Sequence, residues 1–106
     1  MKRTILGCAL AVAAVAAVAA LPASANQELA QKSGCMTCHG VDKKVIGPSF
    51  KDVAAKYKGK AKAEAELFTK VKQGGKGNWG DIPMPPNAHV KDDDIRTLVK
   101  WVLSQK

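Results

Sequence analysis

Cysteine is scarce in this chain: three occur among 106 residues, and Cys8 lies in an N-terminal segment that we expect to be removed. The other two, Cys35 and Cys38, belong to one short motif. No disulfide is therefore left to staple the fold. A domain of this size buries only a small apolar core, so we expect a bound group to help complete it.

After residue 25 the chain also lacks alternating strand patterns, internal repeats and low-complexity tracts. Helical spacing occurs instead, at residues 52–57, 63–72 and 92–104. Asn26 is the expected N-cap of an earlier helix that runs into the cysteine motif. The stretch Gly74–Gly77 has neither a preceding strand nor Walker spacing, so it predicts a flexible connection and no phosphate loop.

Residues 1–25 have the three regions of a secretory signal peptide. A start with two basic residues leads into an Ala- and Val-rich stretch at 5–21, and residues 23–25 form a small-x-small cleavage site. A retained membrane anchor is the alternative, but Pro22 and the cleavage site favour removal. We therefore predict a cleaved signal, a single domain at residues 26–106, and a periplasmic protein without stable membrane insertion.

The cysteine pair belongs to the sequence Cys-Met-Thr-Cys-His at residues 35–39, and C-x-x-C-H is the attachment signature of a c-type haem. If the stretch is helical, Cys35 and Cys38 share a face, so both sulfurs can meet one porphyrin edge. His39 lies at the end of that turn, where its imidazole can bind the iron axially. The motif predicts one covalently bound haem c per chain.

Two other chemistries use cysteine and histidine at close spacing. A dithiol redox pair of the thioredoxin type occurs in a βαβ context, and no strand pattern flanks this motif. A tetrahedral zinc site would need distant His89 as its fourth ligand, and adjacent Cys38 and His39 would have to converge on one ion. That geometry is awkward, so haem is the favoured interpretation.

The second axial ligand of the iron separates a carrier from a catalyst. Met36 lies between the cysteines, on the proximal side, and cannot reach across the ring. Met84 lies in a loop whose three prolines reduce the entropy lost when the sulfur is placed on iron. His89 is the rival, but it lies outside the stiffened stretch. We predict iron held by His39 and Met84, a pair typical of electron-carrying c-type haems.

Basic residues outnumber acidic ones by 17 to 9, for a formal net charge of +8. Lysines concentrate between Lys43 and Lys76, in segments that should pass around the haem between its two axial ligands. A solvated surface is the plain interpretation of this charge. The functional one is a lysine rim that steers the protein onto acidic docking patches of redox partners. The predicted export and the lack of a recognition motif argue against nucleic acid.

Several stretches together resemble the small bacterial class I cytochromes c of the c-551/c-552 type. C-x-x-C-H alone is shared by many haem proteins, whereas the Met84 loop and the closing helix are specific to this type. The resemblance implies an all-α fold of roughly three to five helices around one covalent haem, with the first and last helices crossing beside it. The matching stretches are Cys35–His39, Gly47–Pro48, Lys51–Lys56, Ala63–Leu67, Trp79–Gly80, Ile82–Asn87 and Lys100–Ser104.

The resemblance also implies roles for individual residues. The Pro48 carbonyl would accept a hydrogen bond from the His39 ring and fix the orientation of the imidazole. Trp79 would donate its indole N–H to a haem propionate, and Asn87 would reach toward the Met84 sulfur. Simple packing of Trp79 and a turn role for Asn87 are the alternatives.

These features predict a monomeric one-electron carrier between redox proteins of a respiratory chain, with no enzymatic activity. Six-coordinate iron suits that task because neither oxidation state gains or loses a ligand. The alternative is a haem enzyme or gas sensor in which Met84 is labile, but no spare general acid or base is evident near the distal face. His89 departs from the family pattern as an extra residue between Asn87 and the C-terminal helix, which leaves the path of that loop open.

Overall fold

The structure, a computed structural model, describes the backbone of residues 23–106 and the side chains from residue 26 onward. Residues 1–22, which make up most of the predicted signal segment, lie outside the described residues. Within the described range there are only helices and two isolated bridges, so the all-α prediction is confirmed. None of the described helices has the length and apolarity needed to cross a membrane. The helices are α1 (Ala23–Lys32), a 3₁₀ turn (Cys35–Thr37), α2 (Phe50–Tyr57), α3 (Ala63–Gln73) and α4 (Asp92–Leu103).

The first helix begins earlier than its predicted start. Because α1 already includes Ala23, Asn26 lies inside the helix, and its prediction as the N-cap is wrong for this chain. Two of the three residues before Asn26 are alanine, the residue that most favours helical backbone, so the helix extends upstream. α1 also ends before the cysteines, at Lys32, and Gly34 follows in the left-handed region with a φ of +84°.

The other three helices follow local signals in the sequence. α2 begins two residues before the predicted segment because the Ser49 hydroxyl caps it, accepting the Asp52 backbone N–H at 3.1 Å. α3 and α4 begin at the predicted residues, Ala63 and Asp92. The first turn of α4 carries three aspartates, and the interaction of their negative charge with the positive end of the helix dipole stabilises the helix.

The C-terminal helix α4 is the centre of the core and contacts α1, α2 and α3. One apolar cluster joins α4 to α2 and α3, and it includes the fully buried Ile95. A second cluster joins α4 to α1 and contains Ala30, Phe50, Leu98 and Trp101. Residues of both clusters line the cavity described next, so the packing on α4 builds the walls of the site.

Candidate haem site

A cavity of about 430 Å³ lies among the cysteine motif, the helical core and the loop that carries Met84. Its lining includes Cys35, Cys38 and His39 from the motif, together with Met84 from the loop. The structure therefore brings the four predicted attachment and ligand residues to one cavity. Met36 and His89, the rejected alternatives for the distal ligand, are not part of its lining. The volume is within the range usual for cofactor pockets.

The cysteine motif is held by its own backbone. The Cys35 carbonyl accepts the N–H groups of Cys38 and His39 at 3.2 and 3.0 Å, which closes the 3₁₀ turn. The Cys38 carbonyl in turn accepts the N–H groups of Ile46 and Gly47 at 3.2 and 2.7 Å, so the loop after the motif returns to it. Both cysteines are partly buried free thiols, and burial raises the pKa of Cys35 above its ordinary value.

The imidazole of His39 is fixed by contacts on several sides. Its Nδ1 lies 2.7 Å from the Pro48 carbonyl oxygen and donates to it, which leaves the Nε2 lone pair free for a metal. Phe50 stacks on the ring at 5.2 Å between centroids, and Trp101 meets Phe50 edge-on at 5.3 Å. A Cβ at Gly47 would lie only 2.6 Å from Cε1, so a glycine is required beside the ring.

Met84 lies at the neck of a loop closed by backbone hydrogen bonds. Gly75 and Met84 exchange N–H and carbonyl contacts at 3.0 and 2.8 Å, and Gly77 donates to the Gly80 carbonyl at 2.9 Å within the loop. Gly74 precedes the neck with a φ of +72°, and a Cβ there would lie 2.3 Å from the Met84 carbonyl oxygen. The backbone thus fixes where Met84 enters the cavity wall, independently of the side chains in the loop.

Asn87 is held by hydrogen bonds to backbone carbonyls. Its backbone N–H and its side-chain Nδ2 both donate to the Val71 carbonyl, at 3.1 and 3.0 Å, and Nδ2 also lies 3.3 Å from the Pro85 carbonyl. Val71 is in the last turn of α3, where helix carbonyls have no partner within the helix. Asn87 therefore caps α3.

Trp79 lines the cavity with its side chain 44 % exposed. Two lysines from the segment that was predicted to form a rim lie near this part of the cavity. Lys56 places its Nζ 4.3 Å from the centre of the Trp79 ring. Lys70 lines the cavity, and a Cβ at Gly75 would lie 2.8 Å from its Nζ. The i, i+3 spacing of Leu67 and Lys70 on α3 is the signal that could have placed this lysine beside the cavity.

His89 lies outside the cavity lining, in the segment just before α4. Its Nε2 is 3.3 Å from the Ser33 carbonyl, in the turn that follows α1. His89 therefore joins the segment before α4 to the segment before Cys35. Across the described residues, no group of three or more histidine, cysteine, aspartate or glutamate side chains is arranged to hold a bare metal ion.

The residues around the cavity suit a porphyrin. They supply two thiols, an imidazole with a free Nε2, a thioether and the cationic Lys70 for an acidic group. The cavity wall also contains the buried Trp101 Nε1, which has no hydrogen-bond partner in the described protein. An unpartnered buried N–H costs about 1–3 kcal/mol, so this wall is incomplete until the cavity is filled. Fold and site together define a small c-type cytochrome.

Comparison with known proteins identifies the family. The model of the cytochrome c family matches residues 23–106, and the chain belongs to that family. It is 59% identical over 78 residues to cytochrome c-551 of Pseudomonas aeruginosa, covering 74% of each chain. It is 48% identical over 94 residues to cytochrome c-552 of Nitrosomonas europaea, covering 89% of this chain and 91% of that protein.

Solved structures agree with this assignment. The crystal structure of Nitrosomonas europaea cytochrome c552 matches with a TM-score of 0.73 and 49% identity, over 76% of this chain and 99% of that one. The predicted family and cofactor are confirmed: the protein carries one haem c, bound covalently through Cys35 and Cys38. It is an electron carrier that exchanges electrons with redox proteins.

Proposed function

We propose that His39 and Met84 are the two axial ligands, and that the protein is a periplasmic carrier that turns over no substrate. The observation that supports this best is that His39 and Met84 line the same cavity. His39 donates its Nδ1 proton to the Pro48 carbonyl, and the backbone of Met84 is held by its hydrogen bonds with Gly75. When bound, haem supplies an iron centre that takes up and releases one electron. Two protein ligands leave no open position for a substrate.

The chain's own residues prepare both ligands. The Pro48 carbonyl holds the His39 proton on Nδ1, which orients Nε2 and makes it a stronger donor. The neck between Gly75 and Met84 limits how far the thioether can move between oxidation states. A thioether ligand raises the reduction potential relative to a second imidazole. We propose that Lys70 faces a propionate, because its ammonium lines a cavity made for a cofactor with two carboxylates.

Replacing Met84 tests the ligand assignment directly. Met84→Ala should keep the haem covalently attached, abolish the sulfur-to-iron charge-transfer band of the ferric protein and lower the potential. His89→Ala is the control: its imidazole bonds the Ser33 carbonyl outside the cavity, so the band should remain. A band that survives in the Met84 variant would show that another group is the ligand. Carbon monoxide added to the reduced wild type should leave its spectrum unchanged, whereas a sensor or peroxidase would bind it.

The mouth of the cavity suggests how a partner docks. The large apolar side chains exposed in the described region are Val45, Ile46, Trp79 and Ile82, and all but Val45 line the cavity. Lys44 and Lys76 line it as well. An apolar patch with cations beside it fits an acidic redox protein, and we propose a respiratory-chain partner of this kind. The formal net charge, +8 for the whole chain and +6 without Lys2 and Arg3 of the predicted signal, disfavours self-association, which supports a monomer.

A salt series tests the docking proposal. The bimolecular electron-transfer rate to an acidic acceptor should fall about tenfold or more from low to high salt, because screening removes steering. Lys44→Glu and Lys76→Glu should slow the reaction at low salt more than Lys100→Glu or Lys106→Glu, which lie on or after α4. A flat salt dependence, or equal effects at both places, would mean that docking is mainly apolar.

We also propose that residues 1–25 are removed on export and that residues 26–106 form the working domain. The support is the charged start, apolar stretch and small-x-small site of the sequence. Cleavage would leave Asn26 at the new start of α1. The intact mass of the haem protein isolated from a periplasmic extract decides this, since a retained segment would add the mass of all 25 residues.

A further inference from the structure

The exposed Lys56, in the last turn of α2, contacts two consecutive residues of the Met84 loop. Its Nζ donates to the Asn78 carbonyl at 2.7 Å and lies 4.3 Å from the centre of the Trp79 ring. One ammonium therefore binds both the backbone and a side chain of the loop. Arginine or lysine over a Trp ring is the most favourable cation–π pairing in proteins.

The middle of this loop has few other polar ties. Among the described residues, residues 76–83 make one hydrogen bond to an element outside the loop, and Lys56 donates it to the Asn78 carbonyl. The bond between Gly77 and Gly80 is internal, and both glycines have a φ above +100°. Backbone of this kind has many alternative conformations, so an external contact is needed to select one.

We infer that Lys56 is a positioning residue for Trp79, holding the middle of the loop against α2 so that the indole stays at the cavity mouth. The inference rests on the proposed function, because the position of Trp79 matters for the electron only if the cavity holds the ligated haem. A second effect follows from charge: the Lys56 ammonium lies against Trp79, which lines the cavity, so its positive charge should favour the reduced state of a haem bound there. Removing it should both release the loop and lower the reduction potential.

Three variants separate these effects. Lys56→Met keeps the apolar stem but removes the charge and the donors. Lys56→Arg keeps a cation and a donor and should restore the wild-type behaviour. Lys58→Met is the matched control, because Lys58 is an exposed lysine two residues further on and makes neither contact with the loop. All three changes are on the surface, so the fold should be retained.

The measurements are hydrogen exchange of the Trp79 indole N–H and of the amides at 77–81 in the reduced holoprotein, and the potential at low and high salt. Exchange in Lys56→Met should be roughly fivefold faster than in the wild type, with Lys56→Arg and Lys58→Met close to the wild type. The potential of Lys56→Met should fall further than that of Lys58→Met.

Unchanged exchange in Lys56→Met, or no recovery in Lys56→Arg, would overturn the inference, as would equal shifts of potential from the Lys56 and Lys58 variants. None of these results would touch the proposed function. That proposal fails separately, if the wild-type protein lacks the spectrum of an iron with histidine and methionine ligands.

Discussion

Replacing Gly74 by alanine tests whether the backbone neck between Gly75 and Met84 holds Met84, the proposed distal ligand. Gly74 has a φ of +72° and a ψ of −165°, a region that residues with a Cβ almost never occupy. The added methyl carbon would also lie 2.3 Å from the Met84 carbonyl oxygen and 2.9 Å from backbone atoms of Pro85 and Pro86. Backbone cannot rotate away as a side chain can, so the neck itself must open.

The cost has two parts. The unfavourable dihedral angles contribute about 1–3 kcal/mol. Opening the neck loses the reciprocal hydrogen bonds of Gly75 and Met84, at about 0.5–1.5 kcal/mol each. A total of about 4 kcal/mol, the middle of these ranges, corresponds to a fall in melting temperature of roughly 16–32 °C for a domain of this size. The sulfur-to-iron band should weaken at temperatures where the helices are still intact, because the neck is the part that is strained.

Gly59 provides the matched control. Its φ of +77° is close to that of Gly74, but a Cβ there would meet no atom within 4 Å. Gly59→Ala should therefore show only the dihedral cost and keep the sulfur-to-iron band. Thermal unfolding followed by circular dichroism and by the ferric absorption band gives both quantities. Equal losses in the two variants, with the band retained in both, would refute the role assigned to the neck.

Two further perturbations test the cofactor as a folding element and the charge pair between α3 and α4. Cys35→Ala combined with Cys38→Ala should give a largely unfolded chain, because the small apolar core alone cannot offset the chain entropy; far-ultraviolet circular dichroism that shows a cooperative helical melt would contradict this. The hydrogen bond from Lys72, at 2.8 Å, lowers the pKa of the Asp92 carboxyl below its ordinary 3.8. Its stabilisation is therefore present above that pH and is lost as the pH falls through the folded-state value. Lys72→Met should unfold at slightly lower urea than the wild type at neutral pH, and the difference should vanish in acid. A difference that persists in acid would point instead to the contact of Lys72 with the Phe68 ring, whose centre lies 5.7 Å from Nζ.

Local signals predicted most of the helical architecture. Three aspartates mark the start of α4, and a glycine pair marks the end of α3, so both helices lie within one residue of their predicted bounds. The start of α2 was predicted two residues late, although Ser49 and Asp52 have the spacing of a cap with its N3 residue. The start of α1 at Ala23 could not be read in the same way, because the residues there serve equally as a cleavage site.

The contacts that sequence reasoning missed join residues far apart in the chain. Asn87 caps α3 at Val71, which is 16 residues away, and Lys56 reaches Asn78, which is 22 residues away. Such pairs depend on how the loop folds back onto the helices, and no periodic pattern encodes that path. The cysteine motif is the opposite case, because attachment requires its residues at fixed local spacing.

The row of rings from His39 through Phe50 to Trp101 has a consequence for the order in which the site forms. The cysteines and the histidine leave the ribosome well before Trp101, which is made 62 residues after His39. Until α4 docks, Phe50 lacks the edge-on contact with Trp101 at 5.3 Å, so the ring that stacks on the imidazole at 5.2 Å is itself unsupported. An attachment machinery that acts on the incomplete chain would meet exposed thiols and a freely turning histidine. Docking of α4 would then lock the histidine onto a cofactor already joined to the chain.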